Sequence, residues 1–357
     1  MIFCAGGDPG GSRALIPVIE ELARRGRNCA ILDHGFLGRE MPPAAGLRLV
    51  AADRAEEAAA ACDLYLFGSS AADIRPLSLA RLAKGRGRPV VHVLDNWSAY
   101  AHRLKMDGQD MLAADLYAVM DQSAAQGAAA EGVEEKSIKV TGHPGLAAAA
   151  KVLSSLGAAG PLPAARQLGL PENRLLLVFI NEPLGAVLGR DLAAPGHYGF
   201  TEDQVLSALT AALRPFRDEI FLILLPHPKD DPGQLEDLWA EHGHGLDGVR
   251  MRLAEGRAIL PAVHAAAGMA SILLYEAWLC GLPALSLQPG ARSQAVRRFA
   301  ALEDICYAGS ETEIPAAAKL WLSRARGAET RRPRPELAVH AAAPATVADE
   351  IEKLLVR

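Results

Sequence analysis

The sequence predicts an α/β protein built from two doubly wound domains, and three observations support this fold class. Short apolar runs of β type alternate with longer helical runs along the chain. The strand runs are apolar almost throughout, as expected for parallel strands that helices cover on both faces. The chain also has 357 residues, 50% of them hydrophobic, which is enough to fill two cores.

Seven apolar runs in the first half predict the strands of one complete parallel sheet. We expect these strands at residues 1–5, 28–33, 47–51, 63–67, 89–94, 116–120 and 137–141. Helices are expected between them, among others at residues 12–25, 76–84 and 98–106. The first half of the chain is therefore expected to fold as a domain of its own.

A cluster of glycine and proline in residues 151–172 interrupts this alternation and predicts the linker between the domains. The cluster contains Gly157, Gly160, Pro161, Pro163 and Pro171. A second series of strands is expected at residues 175–181, 219–226, 248–252 and 284–287. We expect an N-terminal domain at 1–160 and a C-terminal domain at 161–342. A final helix in residues 343–357, starting at Pro344, is expected to pack back on the N-terminal domain.

Two such domains are expected to face each other across a cleft at the carboxyl ends of their strands. Ligands of open α/β sheets usually bind at those ends, so loops from both halves should form the site.

Composition and charge narrow the class of protein. A formal charge of −5, with both signs spread along the chain, argues against a nucleic-acid partner. Two short basic runs, at residues 84–88 and 331–334, are typical of solvated loops, although either could contact an anionic membrane surface. Five scattered cysteines in apolar runs indicate reduced core thiols and a cytoplasmic protein. No run approaches 18 apolar residues, so a membrane span is not expected.

A glycine-rich turn follows the first strand at residues 6–12 (GGDPGGS). Small residues there allow a sharp turn or a close approach of the backbone to a ligand. A dinucleotide fingerprint requires glycine at position 8, which is Asp8, although Asp33 ends the second strand where a ribose-binding acid is expected. A nicotinamide site, a simple tight turn and the acceptor-side loop of a sugar-nucleotide enzyme all remain open at this point.

Acidic, aromatic and basic residues are concentrated after the fifth strand, at residues 92–103. Trp97 and Tyr100 could stack on a sugar ring or base, and Arg103 could pair with a phosphate. Asp95 is our candidate for a general base. The alternative is a helix cap near Ser98, with Trp97 as a core side chain.

Two histidines are followed by proline at the ends of predicted strands, one in each domain. His227 lies between two prolines, which restrict its backbone, so its ring could donate to a phosphate. His143 is either a similar ligand or an ordinary turn residue. Asn181 and Glu182 follow the first strand of the second domain and are also candidates for contact with the ligand. The histidines show no metal-ligand spacing.

The most informative stretch is residues 263–289, which predicts a short loop, a helix opening near Ser271 and a buried strand at 284–287. The start of a helix presents free N–H groups and a positive dipole end, which suit a phosphate. Glu276, about a turn and a half further along, could accept hydrogen bonds from ribose hydroxyls. A buried crossover helix with one satisfied glutamate would show the same pattern.

Taken in order, these motifs resemble the GT-B superfamily of sugar-nucleotide glycosyltransferases, a fold that the nucleotide-sugar 2-epimerases share. The resemblance implies two Rossmann-like domains. It places the donor ribose on Glu276, the diphosphate on the backbone from Ser271 and Ile272 onward, and a donor phosphate on His227. Asn181 is expected in the same donor site. The acceptor or sugar is expected to face Gly10, Gly11 and Ser12.

The sequence departs from this pattern at the donor helix. Ile272 and Leu273 stand where many members have a hydroxyl or glycine pair, so phosphate binding would depend on backbone amides and Ser271. The expected epimerase pattern, with paired glycines before an acidic pair, is absent too.

The predicted function is an inverting, metal-independent transfer of a sugar from a nucleotide-sugar donor to a cell-envelope or polysaccharide acceptor, which is a sugar or a lipid-linked sugar. The catalytic candidates are Asp95 and His227, and the nucleotide-sugar is the substrate, with no separate cofactor. A nucleotide-sugar 2-epimerase or hydrolase, or a non-catalytic nucleotide-binding relative, remain alternatives.

Overall fold

The structure is a computed structural model that describes residues 1–41, 46–68, 70, 73–150, 161–227, 230–243, 245–253, 256–292, 294–327 and 332–356. The chain divides into two compact units. Unit 1 comprises Met1–Ala150 and Glu336–Arg357, and unit 2 comprises Lys151–Pro335. Gly157 and Gly160 of the predicted linker lie outside the described residues.

Unit 1 contains a seven-stranded parallel sheet in the order β3-β2-β1-β4-β5-β6-β7. The strands are β1 Ile2–Ala5, β2 Cys29–Leu32, β3 Leu47–Val50, β4 Leu64–Gly68, β5 Val90–Val93, β6 Leu116–Val119 and β7 Ile138–Val140. The helices are α1 Pro9–Arg24, α2 Gly35–Glu40, α3 Ala55–Ala61, α4 Arg75–Gly85 and α5 Gln122–Ala130. The central strands are buried along their whole length, which explains their continuous apolar sequence.

Unit 2 contains a six-stranded parallel sheet in the order β10-β9-β8-β11-β12-β13. The strands are β8 Leu175–Ile180, β9 Ile220–Leu225, β10 Gly248–Arg250, β11 Ala265–Gly268, β12 Ala284–Leu287 and β13 Cys306–Ala308. The helices are α6 Leu162–Gln167, α7 Leu184–Leu188, α8 Glu202–Leu213, α9 Pro232–His242, α10 Ile272–Leu279, α11 Gln294–Arg297 and α12 Ile314–Arg326. Each unit has its own apolar core.

The last helix, α13 Glu336–Leu355, belongs to unit 1. Its apolar face, which includes Val347 and Ile351, lies in the same core as the buried face of α1. Arg25, which follows α1, pairs with Asp349 at 2.6 Å. The boundary of unit 2 thus falls at Pro335, not at 342. Pro344, which we expected to begin the helix, lies inside it, where a proline removes one helical hydrogen bond without ending the helix.

Three segments differ from the predicted elements, and one of them is β13, a strand at the edge of the sheet of unit 2 that was not expected. The helix expected at 98–106 is wrong: the segment forms turns and a short 3₁₀ helix at His102–Leu104. Ala99 has a φ of 55°, in the left-handed region that a right-handed helix cannot contain. Strand β11 was expected to be a loop, because its sequence AAAG has low β propensity; burial between β8 and β12 overrides that propensity.

The predicted fold class is confirmed for both units. In each unit the first and fourth strands along the chain are neighbours, and the order extends from them in both directions, as in Rossmann-like sheets. Among the described residues, no helix is both long and apolar enough to cross a bilayer.

Candidate functional site

Each unit places its candidate residues at the carboxyl ends of its strands. In unit 1 the strand order reverses direction at β1 and β4, and in unit 2 it does so at β8 and β11. A crevice forms outside the carboxyl ends of the strands at such a reversal, where neighbouring loops leave in opposite directions. The glycine turn of unit 1 and the start of α10 in unit 2 both lie at these positions.

The glycine turn of unit 1 runs directly into α1, which begins at Pro9. Ser12 is fully buried in the first turn of this helix, and its Oγ has no hydrogen-bond partner. A Cβ on Gly6 would lie 2.7 Å from that Oγ. A Cβ on Gly68, at the end of β4, would lie 2.6 Å from the carbonyl oxygen of Gly11. The small residues therefore serve close packing between the start of α1 and the end of β4.

Asp95, after β5, is held against this turn. Its Oδ1 accepts a hydrogen bond from Arg103 Nη1 at 2.8 Å, and both side chains are largely buried. A Cβ on Gly10 would lie only 2.1 Å from Asp95 Oδ2, so the carboxylate occupies the space that a side chain at position 10 would need. A carboxylate beside the first turn of a helix is stabilised by the helix dipole. The structure thus brings together Asp95 and Gly10, which were predicted separately.

The remaining polar residues after β5 have structural partners. Trp97 and Tyr100 are 4% and 7% exposed, so the prediction that they stack on a ligand is wrong for this conformation. Trp97 Nε1 donates to Asp121, the N-cap residue of α5. Arg103, which we expected to pair with a phosphate, instead orients Asp95.

His143 ties three segments of unit 1 together. Its Nδ1 accepts a hydrogen bond from the N–H of Gly145, and its Nε2 donates to the carbonyl oxygen of Asp95, both at 3.1 Å. Its backbone N–H donates to Nδ1 of His340 on α13 at 3.0 Å. Burial, followed by the effect of His143, lowers the pKa of His340 to about 4, so His340 remains a neutral acceptor at physiological pH. His143 fixes the position of Asp95 and is 5% exposed.

Sequence reasoning missed a second carboxylate at the glycine turn. Asp73 Oδ2 lies 2.9 Å from His34 Nε2, and a Cβ on Gly7 would lie 2.4 Å from the same oxygen. His34 follows β2, and Asp73 follows β4 by several residues, so only the fold brings them together. The position of His34 directly after an apolar strand was the one available signal.

In unit 2, α10 begins after Ser271, as predicted. Ser271 is the N-cap residue, and its Oγ accepts a hydrogen bond from the N–H of Leu273 at 3.1 Å. This hydroxyl therefore caps the helix, whereas we expected it to bind phosphate. Ile272, the first residue of the helix, is 39% exposed, although it is apolar.

Glu276 is a buried charge in an otherwise apolar helix. It is 4% exposed, and its Oε1 lies 3.1 Å from Nη2 of Arg257, in the 3₁₀ segment before β11. Burying a carboxylate costs free energy unless it is paired and hydrogen-bonded, which Arg257 achieves here. Sequence reasoning did not find Arg257, because it lies 19 residues from Glu276 and outside any motif.

Asp230 joins two other predicted residues. Asn181, after β8, donates from Nδ2 to Asp230 Oδ2 at 3.0 Å, and the backbone N–H of His227, after β9, donates to the same oxygen at 2.6 Å. Asn181 is 3% exposed, and His227 is partly buried. The structure therefore brings Asn181 and His227 together, while Pro228 of the predicted motif lies outside the described residues.

Glu182 lies beside the start of α10. The sequence predicted only that it could contact the ligand. Its Oε1 accepts a hydrogen bond from the N–H of Ala270 at 2.7 Å. Burial raises the pKa of this carboxyl to about 7, although the backbone N–H groups of residues 269–271 act in the opposite direction. The positive charge of Arg298 also lowers this pKa.

Two of the basic residues considered for lipid contact have partners within their own unit. Lys84 pairs with Asp115 at 2.8 Å and Arg334 with Asp304 at 3.0 Å, while Arg331 lies outside the described residues. Contact with a membrane surface stays a prediction.

Comparison with known proteins finds likeness in structure and none in sequence. No protein-family model matches the chain, and no curated protein is significantly similar to it. The structure of HepE from Anabaena in complex with UDP and glucose is similar with a TM-score of 0.62 and 14% identity, covering 100% of this chain and 99% of that one. The UDP-GlcNAc 2-epimerase of Methanocaldococcus jannaschii gives a TM-score of 0.65 and 11% identity, covering 98% and 99%.

The wall teichoic acid polymerase TagF is also similar, with a TM-score of 0.55 and 12% identity over 100% of this chain and 89% of that one. At these identities the comparisons show the fold: the chain has the GT-B fold that the sequence motifs implied.

Proposed function

We propose that the protein is a glycosyltransferase that moves a sugar from a nucleotide-sugar donor, a UDP-sugar, to a cell-envelope or polysaccharide acceptor. The proposed reaction inverts the anomeric centre and requires no metal ion. The similar structures support a UDP-sugar as the ligand class, because HepE is bound to UDP and glucose and the epimerase is named for UDP-GlcNAc.

One observation carries the proposal: a buried carboxylate, Glu276, lies on the helix that begins at the strand-order reversal of unit 2. A purely structural crossover helix has no need of a charge in its apolar middle. A carboxylate there accepts hydrogen bonds from the two ribose hydroxyls, and the start of the same helix faces the phosphates. Arg257 holds the carboxylate in place until the ribose arrives.

The other donor contacts follow from the loops of unit 2. His227 donates to a donor phosphate, and Asp230 fixes the backbone of His227 and the side chain of Asn181. Charge that develops on the leaving phosphate oxygen is stabilised by these donors and by the dipole of α10.

Unit 1 supplies the acceptor side. Asp95, oriented by Arg103, removes the proton from the acceptor hydroxyl while the hydroxyl oxygen attacks the anomeric carbon. The bond between that carbon and the phosphate oxygen breaks, and the electron pair leaves with the nucleoside diphosphate. Gly10 faces the acceptor, since its backbone has no side chain between the carboxylate and a ligand. Gly11 and Ser12, which are buried, form the turn behind it.

A nucleotide-sugar 2-epimerase or hydrolase is the second candidate, because UDP-GlcNAc 2-epimerases are among the similar structures. These activities consume or isomerise a donor without an acceptor. Release of UDP, or isomerised sugar, from UDP-GlcNAc alone supports the second candidate. Donor consumption that requires an added acceptor supports the transferase.

The donor assignment is tested by titration calorimetry with UDP on Glu276→Gln. Glutamine keeps one acceptor oxygen, so the variant is expected to bind UDP roughly 10- to 100-fold more weakly, the value of about one hydrogen bond to a charged group. Glu202→Gln is the matched control, because Glu202 is also a buried carboxylate of unit 2 but accepts from Gly185 at 2.8 Å. Equal affinity of the Glu276 variant and the wild-type protein would reject the assignment.

A further inference from the structure

A carboxylate of the chain binds the backbone immediately before the helix start that the proposed function gives to the donor phosphate. Glu182 lies directly after β8, and its Oε1 accepts the N–H of Ala270 at 2.7 Å. The N–H groups of Met269 and Ser271 act on the same carboxyl. These three residues form the connection from β11 to α10, so Glu182 holds the backbone immediately before the donor helix.

Glu182 and a phosphate need the same type of partner. Backbone N–H groups before a helix, together with the positive end of its dipole, stabilise any anion that reaches them. The Ser271 hydroxyl is not an alternative partner for a phosphate here, because it accepts from Leu273. A donor diphosphate that approaches the start of α10 therefore meets a like charge beside the helix when Glu182 is ionised.

A cation and a phenol lie beside Glu182. Arg298 is stacked on Tyr275 of α10, with its guanidinium carbon 5.1 Å from the ring centroid, and its charge acts on Glu182. Tyr198 is influenced by both groups, and burial raises its pKa, so it stays neutral near neutral pH. Among the described residues, Arg298 thus supplies a positive charge that either the carboxylate or a phosphate can use.

We propose that Glu182 is a competing anion that closes the donor-phosphate position in the free protein, and that the donor binds after this carboxylate is neutralised or displaced. This inference depends on the proposed function, because it takes the start of α10 as the phosphate position. It adds a residue that controls donor affinity without contacting the transferred sugar. The positive charge of Arg298 acts on the carboxylate in the free protein and on the phosphate when the donor is bound.

The proposal implies a definite pH dependence. Burial raises the pKa of Glu182 to about 7, so the carboxyl is mostly protonated at pH 6 and mostly ionised at pH 8. If the donor binds only the form with a neutral Glu182, its affinity falls about tenfold between pH 6 and pH 8 through this group alone. Replacing Glu182 with the neutral isostere glutamine removes the competition at every pH.

The test compares UDP-glucose affinity of the wild-type protein and Glu182→Gln by calorimetry at pH 6 and pH 8. UDP-glucose is used because free UDP carries a terminal phosphate that itself titrates near pH 6. The variant is expected to bind about tenfold more tightly than wild type at pH 8 and about equally at pH 6. Dividing the affinity of the variant by that of the wild-type protein at each pH cancels the effect of protonating His227 or any other group that both proteins share.

Two controls complete the design. Glu202→Gln removes another buried carboxylate of unit 2, whose pKa burial also raises, and is expected to follow the wild-type pH profile. Arg298→Met is expected to weaken binding at both pH values, because the phosphate loses the cation. If Glu182→Gln does not fold, the wild-type profile still tests the proposal in one direction, because an affinity that does not fall between pH 6 and pH 8 overturns it.

The outcomes separate this inference from the proposed function. An affinity ratio that is the same at both pH values, or weaker binding by Glu182→Gln at pH 8, overturns the role of Glu182 while the donor assignment stands. Absence of UDP-glucose binding by wild type and variant at pH 6 overturns both.

Discussion

Burial shifts the pKa of two histidines in unit 1 and of two carboxyl groups in unit 2. In unit 1 burial lowers the pKa of His92 to about 3, with a further effect of Arg103, and that of His340 to about 4. In unit 2 burial raises the pKa of Glu182 to about 7 and also raises that of Glu202. Burial favours the neutral form in every case, which for a histidine is the deprotonated form and for a carboxyl the protonated one. Two units of the same fold therefore respond to acid in opposite directions.

The loops at the strand ends also differ between the units. In unit 1 side chains tie loop to loop, as in the pairs Asp95–Arg103 and His34–Asp73. In unit 2 carboxylates accept from backbone N–H groups, as Glu182 does from Ala270 and Asp230 from His227. The Asp95 carboxylate of unit 1 is thus held by a side chain, whereas the Glu182 carboxylate of unit 2 is held by backbone N–H groups that another anion can use.

The largest expected effect concerns acid. The stability contributed by neutral His92 and His340 is lost as the pH falls below about 6.5, because these histidines take up a proton in the unfolded chain but stay neutral in the folded unit. By pH 5 the loss is roughly 2 kcal/mol for His92 and about the same for His340. Glu182 has the opposite sign: its contribution to stability is lost as the pH rises through 7, so unit 2 gains about 2 kcal/mol between pH 7 and pH 5.

Hydrogen exchange resolves the two units, since it reports local stability strand by strand. After correction for intrinsic rates, protection of β5 in unit 1 should fall between pH 7 and pH 5, and protection of β8 in unit 2 should not. Equal changes in the protection of β5 and β8 would contradict the opposite pH responses of the two units.

The second effect concerns the orientation of Asp95. Arg103→Gln removes the guanidinium that holds this carboxylate, and kcat should fall roughly 10- to 100-fold with little change in the KM for the donor. Lys84→Gln, which breaks the more exposed pair with Asp115, is the control and should leave both constants unchanged. A matching loss in the two variants would show that Arg103 acts only on stability.

A smaller effect is expected at the glycine turn. Gly10→Ala places a Cβ 2.1 Å from Asp95 Oδ2, so the carboxylate must shift. We expect a destabilisation of about 1–2 kcal/mol and an activity loss of roughly tenfold. Gly85→Ala is the control, because Gly85 ends α4 and has no atom within 4 Å of the new Cβ. It should leave stability in denaturation assays and activity in turnover assays unchanged. Full activity in Gly10→Ala would show that the position of Asp95 is not critical.

The smallest effect is expected for a surface pair of unit 2. Glu219 and Arg326 are 2.6 Å apart but more than 40% exposed, so solvent screens their attraction. Glu219→Gln should change the free energy of unfolding by less than about 1 kcal/mol in urea titrations and leave UDP affinity unchanged. A larger loss in the free energy of unfolding would contradict the view that exposed ion pairs contribute less to stability than buried groups do.

The fold could be predicted from the sequence where the local pattern and the tertiary structure agree. The buried strands β1 and β8 are continuous apolar runs, and α1 has the helical spacing of Leu15, Val18 and Ile19. Strand β11 could not be found in this way, because alanines prefer helix and only burial between β8 and β12 makes them a strand. The turn at Ala99 was missed because the local sequence has no glycine there to indicate a positive φ.

The candidate site could be predicted only in part. Glu276, Asp95 and the glycine turn follow from motifs near strand ends, and their functional roles stay predictions. Their partners Arg257 and Asp230 have no motif, and the contact of His143 with His340 joins residues 197 positions apart. Such pairs depend on the order of the strands, which a single sequence does not display.

The assignment of the nucleotide to unit 2 can be examined directly by hydrogen exchange in the presence and absence of UDP. UDP is expected to slow exchange most strongly in residues 269–279, which contain the connection to α10, the helix itself and Glu276. Slower exchange confined to residues 6–12 of unit 1, with no change in residues 269–279, would contradict the account.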